Sequence, residues 1–244
     1  MRRPLWNITM QRGDALQTNT FSDQLRAAVL RRHCANHPMT AKWAEGELSR
    51  DTLRGWATEH YHWVSNVLPL FFDICAHDDA PKEVVRAQLE NHHEESDEKH
   101  SHLDIVLRFA KANGGDIAEI KRGRGLPSTE SWVRFLRGAA REPSWIAGMA
   151  AVLGTESQSP MLYSRVLPAL RNIYKFKEDE IEHFWLHIEA DAGHGGKSFD
   201  LLEKYCTTPE KRELAVHWAY ESARMRWFYF DGIYQHYELG YALA

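Results

Sequence analysis

Residues 178–196 read EDEIEHFWLHIEADAGHGG, and this stretch directs the interpretation of the whole chain. His187, Asp191 and His194 follow one another in it at spacings of four and three residues. Because an α-helix has 3.6 residues per turn, this spacing predicts a helix with the three side chains on one face. Two imidazoles and a carboxylate on one face suit a transition metal that keeps open coordination positions. A solvated polar face gives the same pattern, so the triplet alone leaves both interpretations open.

Two further segments carry residue types that bind metals. Glu95 and His102 lie seven residues apart in the polar run NHHEESDEKHSH (91–102), and two turns of one helix would place them on a shared face. Glu156 lies in the segment VLGTESQSP (152–160), just after an apolar run, where burial of an unpartnered carboxylate is costly. We therefore expect a cation opposite Glu156, either a metal ion or an arginine such as Arg165 or Arg171.

The three segments together supply enough ligands for two metal ions. Three histidines and three carboxylates on helices form a set that could hold about two iron ions, with one carboxylate bridging them. Reduced iron in such a site binds and reduces dioxygen. The candidate metal ligands are Glu95, His102, Glu156, His187, Asp191 and His194.

Helical periodicity runs along the chain, and we find no stretch of alternating β-branched residues. The pattern predicts an all-α fold of about seven to nine helices in one domain, residues 21–240, behind a loose N-terminal arm, residues 1–20. We expect a kink at Pro69, one continuous helix between Pro81 and Gly114, and another from Ser144 to Tyr174. Ser22 is the expected cap of the first helix, and Thr208 with Pro209 that of the last.

Composition excludes several classes of protein. A formal net charge of −4 with interspersed signs argues against a nucleic-acid surface. Three widely spaced cysteines fit neither a disulfide framework nor a zinc finger, and no apolar run reaches the length of a signal peptide or a membrane span. We therefore expect a cytoplasmic protein that does not contact membranes. Fourteen histidines point toward metal or proton chemistry, whereas nine tryptophans favour a bulky helical core.

The candidate ligands, taken in order, resemble a known pattern. Glu95 with His102, Glu156 after an apolar run, and the H-x-x-x-D-x-x-H motif at 187–194 resemble the six ligands of the haem-oxygenase-like diiron oxidases. Pyrroloquinoline-quinone synthase, the TenA thiaminases and a para-aminobenzoate-forming branch belong to the same superfamily. The segments HPMTAKWAEGELSRDTLRGW (37–56) and RMRWFYFDGIY (224–234) resemble its first and last conserved motifs.

The resemblance implies a single compact bundle of about seven core helices that binds no haem and is often a homodimer. It further implies an enzyme with two Fe(II) ions and dioxygen as co-substrate, which oxidises a small amino-acid-derived or carboxylate metabolite. The substrate pocket is expected beside the metals, with Tyr163, Arg165 and Arg226 as candidates to hold a substrate carboxylate, because arginine offers a bidentate fork.

Three alternatives remain open at the level of sequence. The para-aminobenzoate-forming branch uses a lysine after its Glu156-like position, and no lysine occurs here between Glu156 and Tyr174. A metal-free oxidase of the quinone-synthase type would use the same histidines as general acids and bases. A binding protein could keep the helical bundle without catalysis.

Overall fold

The structure is a computed structural model that describes residues 20–96 and 101–243, with side chains 189–195 left outside the description. In these ranges the chain forms α-helices and short 3₁₀ and π-helical turns, without a β-strand. This confirms the all-α prediction. The helices are α1 Phe21–Leu30, α2 Pro38–Glu45, α3 Arg50–Val67, α4 Pro69–Cys75, α5 Lys82–Glu95, α6 His102–Ala112, α7 Ile117–Arg122, α8 Pro127–Ala139, α9 Trp145–Glu156, α10 Ser159–Asn172, α11 Glu182–Tyr205 and α12 Pro209–Ile233.

Several long helices of the sequence prediction are divided in the structure. Pro69 separates α3 from α4, where a kink was expected. The predicted helix from Ser144 to Tyr174 is interrupted after Glu156, and Pro160 lies in the first turn of the helix that follows. The described part of the chain therefore contains twelve α-helices, more than the seven to nine expected.

The prediction of one helix between Pro81 and Gly114 is wrong. α5 ends at Glu95 with Ser96 as its C-cap, and α6 begins at His102. The reason is the polarity of this segment. Among the described residues 82–96, Val84 is the only apolar side chain that is buried, so little packing holds a continuous helix together.

The helix ends follow the expected capping chemistry, with one correction. Thr208 accepts a hydrogen bond from the backbone N–H of Lys211, and Pro209 opens α12 as predicted. The N-cap of α1 is Thr20, not Ser22, and Thr20 forms a reciprocal capping box with Asp23. The predicted arm, residues 1–20, lies almost wholly outside the described residues.

The centre of the bundle is α9, whose residues from Trp145 to Thr155 are all buried. It crosses α12 closely at Gly154. A side chain on Gly154 would collide with the carbonyl oxygen of Ala219 and the side chain of Ser222. α9 ends at Glu156, so this almost fully buried helix places a carboxylate beside an interior cavity. None of the helices in the described ranges has the length and apolar character of a bilayer-spanning segment.

Candidate metal centre

Three of the predicted ligands meet inside the bundle. Glu95 is the last residue of α5, His102 is the first residue of α6, and His187 lies on α11. One ligand atom from each side chain lies within 4.8 Å of the others. Nδ1 of His102 donates to Oε2 of Glu95 over 2.6 Å, and the rings of His102 and His187 are 4.5 Å apart. The break between α5 and α6 therefore leaves Glu95 and His102 adjacent, although not by the single helix that the spacing predicted.

His187 is held in one orientation by its own helix. Its Nδ1 donates to the backbone carbonyl of His183 over 2.6 Å, one turn earlier. A hydrogen bond of this kind fixes the tautomer and leaves Nε2 with its lone pair, as metal-binding histidines require. Burial, together with the nearby His102, lowers the pKa of His187 to about 4. The imidazole is therefore neutral near pH 7 and able to bind a cation.

Glu156 lies on the same cavity as Glu95 and His187. Arg226, from α12, lines this cavity too, and its guanidinium donates to the carbonyl of Thr155 and to Oγ of Ser159. The cavity volume is about 20 Å³, enough for a molecule of the size of water or dioxygen. A carboxylate and a guanidinium thus face a confined space beside three grouped ligand atoms.

A second small cavity, also of about 20 Å³, adjoins the first. The two share Trp63, Glu95, Thr155 and Glu156 in their walls. Beyond the shared residues the second cavity is apolar, with Val67, Leu68, Leu70, Phe71, Leu136 and Val152 in its lining. The two carboxylates Glu95 and Glu156 therefore lie at the boundary between a polar and an apolar compartment.

The three predicted substrate-binding residues are placed differently from one another. Arg226 is buried and lines the polar cavity. Tyr163, 1 % exposed, lines it as well, and its hydroxyl lies 3.1 Å from Nε2 of His183. Arg165 is exposed, and its Nη1 donates to the carbonyl of Ala35 over 2.6 Å. Arg165 is absent from the described lining of this cavity, so its contact with a substrate carboxylate stays a prediction.

Two predicted ligands cannot be placed against these neighbours. α11 runs through positions 191 and 194, but the side chains of Asp191 and His194 lie outside the described residues. The arginines considered as partners of Glu156 have other contacts: Arg165 bonds to Ala35, and Arg171 pairs with Glu178 over 2.8 Å. The six-ligand set therefore stays a prediction, of which the structure brings three members together and places Glu156 on the same cavity.

Sequence reasoning overlooked His183, whose ring packs against that of His60. The ring of His60 stacks on Trp56 at 4.7 Å and meets the ring of His183 at 4.8 Å. Burial lowers the pKa of both histidines well below the ordinary value. The spacing of four between His183 and His187 was a visible signal, since it places them on one face of α11. His60 also lines the polar cavity, so it packs in the core and borders the candidate site at once.

Curated relatives of this chain are named for the synthesis of small molecules. It is 29 % identical over 238 residues to a 4-aminobenzoate synthase of Nitrosomonas europaea, covering 91 % of this chain and 94 % of the relative. It is 24 % identical over 232 residues to a bifunctional coenzyme PQQ synthesis protein C/D of Methylorubrum extorquens, covering 91 % of this chain and 61 % of that protein.

Solved structures and a family model locate the chain more broadly. A crystal structure of a domain of unknown function with a heme oxygenase-like fold, from Shewanella denitrificans, superimposes with a TM-score of 0.78 at 17 % identity, covering 96 % of this chain and 97 % of that one. Residues 54–227 match the model of a family described as iron-containing redox enzyme. The chain therefore has a haem-oxygenase-like fold and belongs to this family of iron-containing redox enzymes.

Proposed function

We propose that this protein is an oxygen-dependent non-haem diiron oxidase that acts on a small amino-acid-derived or carboxylate metabolite. The observation that carries the proposal is the convergence of Glu95, His102 and His187 within 4.8 Å in the interior of an iron-containing family fold. Two imidazoles and one carboxylate with open positions are the ligand set typical of non-haem Fe(II) oxygenases. Bound Fe(II) would supply the electrons that reduce dioxygen, which protein side chains cannot do alone.

The residues around these ligands fit iron. His187 is neutral because burial lowers its pKa to about 4, and its Nδ1–H is already donated to His183, so Nε2 can bind a cation without losing a proton. Glu156 adds a carboxylate on the same cavity. We further propose that Asp191 and His194, which follow His187 at spacings of four and three, complete a site for a second iron ion.

The two compartments favour an anionic substrate with an apolar body. Arg226 places a buried positive charge on the polar cavity, where it can hold a carboxylate. The neighbouring apolar cavity, bounded by Leu70, Phe71 and Val152, suits an alkyl or aromatic group. Each cavity is small, so the side chains between them must move when such a substrate binds.

Aromatic amino acids and their derivatives are therefore the first substrates to test, with 4-aminobenzoate as the first product to seek. The N. europaea relative carries that product in its name and covers nearly the whole chain. The lysine that the sequence resemblance associates with that activity is absent between Glu156 and Tyr174, which argues against this product. Product analysis separates this activity from other oxidations.

We further propose that the protein is a homodimer, which sedimentation velocity can test.

The decisive experiment is metal analysis followed by oxygen uptake. We expect the protein, reconstituted anaerobically with Fe(II), to retain about two iron ions per chain and to consume dioxygen when air is admitted. His187→Ala should lose at least one iron and most oxygen uptake while helicity, measured by circular dichroism, is unchanged. His217→Ala, which alters an exposed histidine of α12, is the matched control and should keep both.

Other outcomes separate the alternatives. Iron-free protein that still oxidises a quinone precursor would replace the proposal with a metal-free oxidase, in which the buried histidines move protons. Protein that neither retains iron nor consumes dioxygen with any candidate substrate would be a helical binding protein. Unchanged iron content in His187→Ala would contradict the assigned site.

A further inference from the structure

A larger cavity opens on the opposite side of α3 from the candidate metal centre. It has a volume of about 360 Å³, against about 20 Å³ for the cavity beside the metal ligands. α3 borders it, together with the connector at 123–125 and one face of α8. Its polar wall includes His62, Asn66, Arg124, Thr129, Glu130 and Arg134. None of the candidate metal ligands in the described residues belongs to this wall, so the cavity is separate from the candidate metal centre.

His62 is the most buried titratable side chain in the wall of this cavity. It is 7 % exposed, and its Nε2 is buried without a hydrogen-bond partner among the described residues. A buried imidazole nitrogen without a partner costs free energy that a bound polar group would recover. Burial lowers the pKa of His62, against an opposing effect of Glu130, so the ring is mainly neutral near pH 7. A neutral ring can donate or accept a hydrogen bond, whichever its ligand requires.

Two guanidinium groups are fixed at the rim of the cavity. Nε and Nη2 of Arg124 donate to Oε1 of Glu130 over 3.0 and 2.6 Å, and Nη2 of Arg134 donates to Oε2 of the same carboxylate over 3.0 Å. Both arginine side chains are about three-quarters exposed, at 79 and 75 %. Glu130 therefore orients two positive charges with one negative charge, and both guanidinium groups remain largely exposed to solvent in the cavity wall.

The remaining charges around the cavity leave it positive. Lys121 and Arg122 precede the connector, and no acidic residue occurs between Ile120 and Thr129. The N-terminus of α8, a helix of thirteen residues, adds the positive end of its dipole. Glu59 lies beneath the connector, but its carboxylate accepts hydrogen bonds from Leu126 and Thr129 inside the fold, and burial raises its pKa.

The helical geometry of α3 separates this cavity from the metal centre. Residues two apart on a helix point in nearly opposite directions, about 200° apart. His60 lines the cavity beside the metal ligands, and His62 lines the larger cavity. A ligand in the larger cavity therefore does not contact Glu95, His102 or His187.

We propose that the cavity between α3, the 123–125 connector and α8 is a second binding site, which takes a small molecule bearing a carboxylate or phosphate group. Arg124 and Arg134 hold the anionic group, because guanidinium forms strong charge-assisted hydrogen bonds with carboxylate and phosphate. The uncharged part of the ligand reaches Asn66 and the ring of His62 in the cavity wall. The site does not depend on the iron chemistry proposed above.

Isothermal titration calorimetry of the 244-residue chain tests the proposal. Inorganic phosphate and citrate are titrated separately at an ionic strength held constant with sodium chloride, so that general screening does not change between experiments. We expect saturable binding of at least one of the two anions. The double variant Arg124→Gln and Arg134→Gln should weaken that binding by at least about tenfold, since two charge-assisted hydrogen bonds are lost.

A matched control removes an arginine just after the same helix. Arg141 lies beyond the end of α8 and bonds to Asp73 over 3.0 Å, away from the cavity, so Arg141→Gln should leave binding unchanged. Val133→Glu places a carboxylate in the cavity wall at a half-buried position and should abolish binding while circular dichroism stays the same. It keeps the test valid if the double variant folds poorly.

Each result has one meaning. Loss of phosphate binding alone, or of citrate binding alone, in the cavity variants identifies which anion class the site takes. Equal affinity in wild type, the double variant and Val133→Glu, or no saturable binding of either anion, would overturn the proposal. Iron content should be the same in all these variants, so a failure of the metal assignment would be seen separately.

Discussion

Three buried histidines, His60, His183 and His187, lie side by side near the candidate metal centre. Burial lowers the pKa of His60, His183 and His187, and the rings lie next to one another at centroid distances of 4.8 and 4.1 Å. Because each is neutral near pH 7, each keeps a lone pair that a proton would otherwise occupy. The same property makes the fold sensitive to acid, since unfolded histidines take up protons that the folded ones refuse.

His33 allows this sensitivity to be measured away from the metal ligands. Its Nδ1 accepts a hydrogen bond from the N–H of Ala35 over 3.1 Å, which only a neutral ring can do, and burial together with the charge of Arg226 lowers its pKa to about 4. The folded pKa lies below the ordinary value of 6.5, so protons favour the unfolded state. The stabilising contribution is complete above pH 6.5 and is lost as the pH falls toward 4, by roughly 3 kcal/mol in all.

His33→Asn should remove that part of the pH dependence. The amide oxygen of asparagine can still accept the hydrogen bond from Ala35, but it does not titrate. The free energy of unfolding, measured with urea between pH 4 and 7, should therefore fall less steeply with decreasing pH in the variant. The difference between the two slopes should correspond to about one bound proton. His217→Asn, at an exposed position, should leave the slope unchanged. A variant slope equal to that of the wild type would refute the role given to His33.

At the scale of helices, the crossing of α9 and α12 positions Glu156. A Cβ atom on Gly154 would lie 2.4 Å from the carbonyl oxygen of Ala219 and 2.8 Å from the Cβ of Ser222. Both contacts are too short for backbone and packed side chains to tolerate without movement. Since Glu156 is only two residues further along α9, displacement of this helix would also displace a candidate iron ligand.

Gly154→Ala should therefore destabilise the protein by about 1–3 kcal/mol, through overpacking at a helix crossing. Gly138→Ala is the matched control, because a Cβ atom on Gly138 of α8 meets nothing within 4 Å and alanine has the higher helix propensity. Urea unfolding should show a lower midpoint for Gly154→Ala and an unchanged or slightly higher one for Gly138→Ala. Equal midpoints for the two variants would show that α9 and α12 have more freedom than the structure indicates.

The sequence predicted the helices well where proline or a capping residue determines an end. Pro69 and the Thr208–Pro209 pair act locally, so their effect can be recognised without knowledge of the tertiary structure. The break between Glu95 and His102 could not be seen in this way, because polar side chains on one continuous helix or on two separate helices leave the same pattern. The prediction of one continuous helix was wrong there, but the two side chains do lie together, since Nδ1 of His102 reaches Oε2 of Glu95.

At the candidate site, too, some features follow from one helix alone and others depend on how helices pack together. Tyr163 and Arg165 are two residues apart on α10, so they point to opposite sides, with Tyr163 inside and Arg165 at the surface. Periodicity alone contained that information, and applying it would have excluded Arg165 as a companion of Tyr163. The closeness of Arg226 to Glu156 is different, because it depends on how α12 crosses α9, which no single helical segment specifies.

At the scale of the whole molecule, a metal ion would join helices that are distant in sequence. Glu95 ends α5, His102 begins α6 and His187 lies in the first half of α11. In the unfolded chain these ligands are dispersed, so an ion that needs all of them binds the folded state and hardly the unfolded one. Binding must then raise the free energy of unfolding by an amount that follows from the affinity and the ion concentration.

Fe(II) should accordingly stabilise the protein against heat in a concentration-dependent way. At an ion concentration of about one hundred times the dissociation constant the gain is roughly 2.7 kcal/mol, and a chain of this length shifts by about 2–4 °C per kcal/mol, so an increase of roughly 5–10 °C is expected. Differential scanning calorimetry under anaerobic conditions measures it, with a chelator to reverse the shift. His187→Ala should remove most of the increase and His217→Ala should keep it, whereas an equal increase in both variants would mean that iron binds elsewhere on the chain.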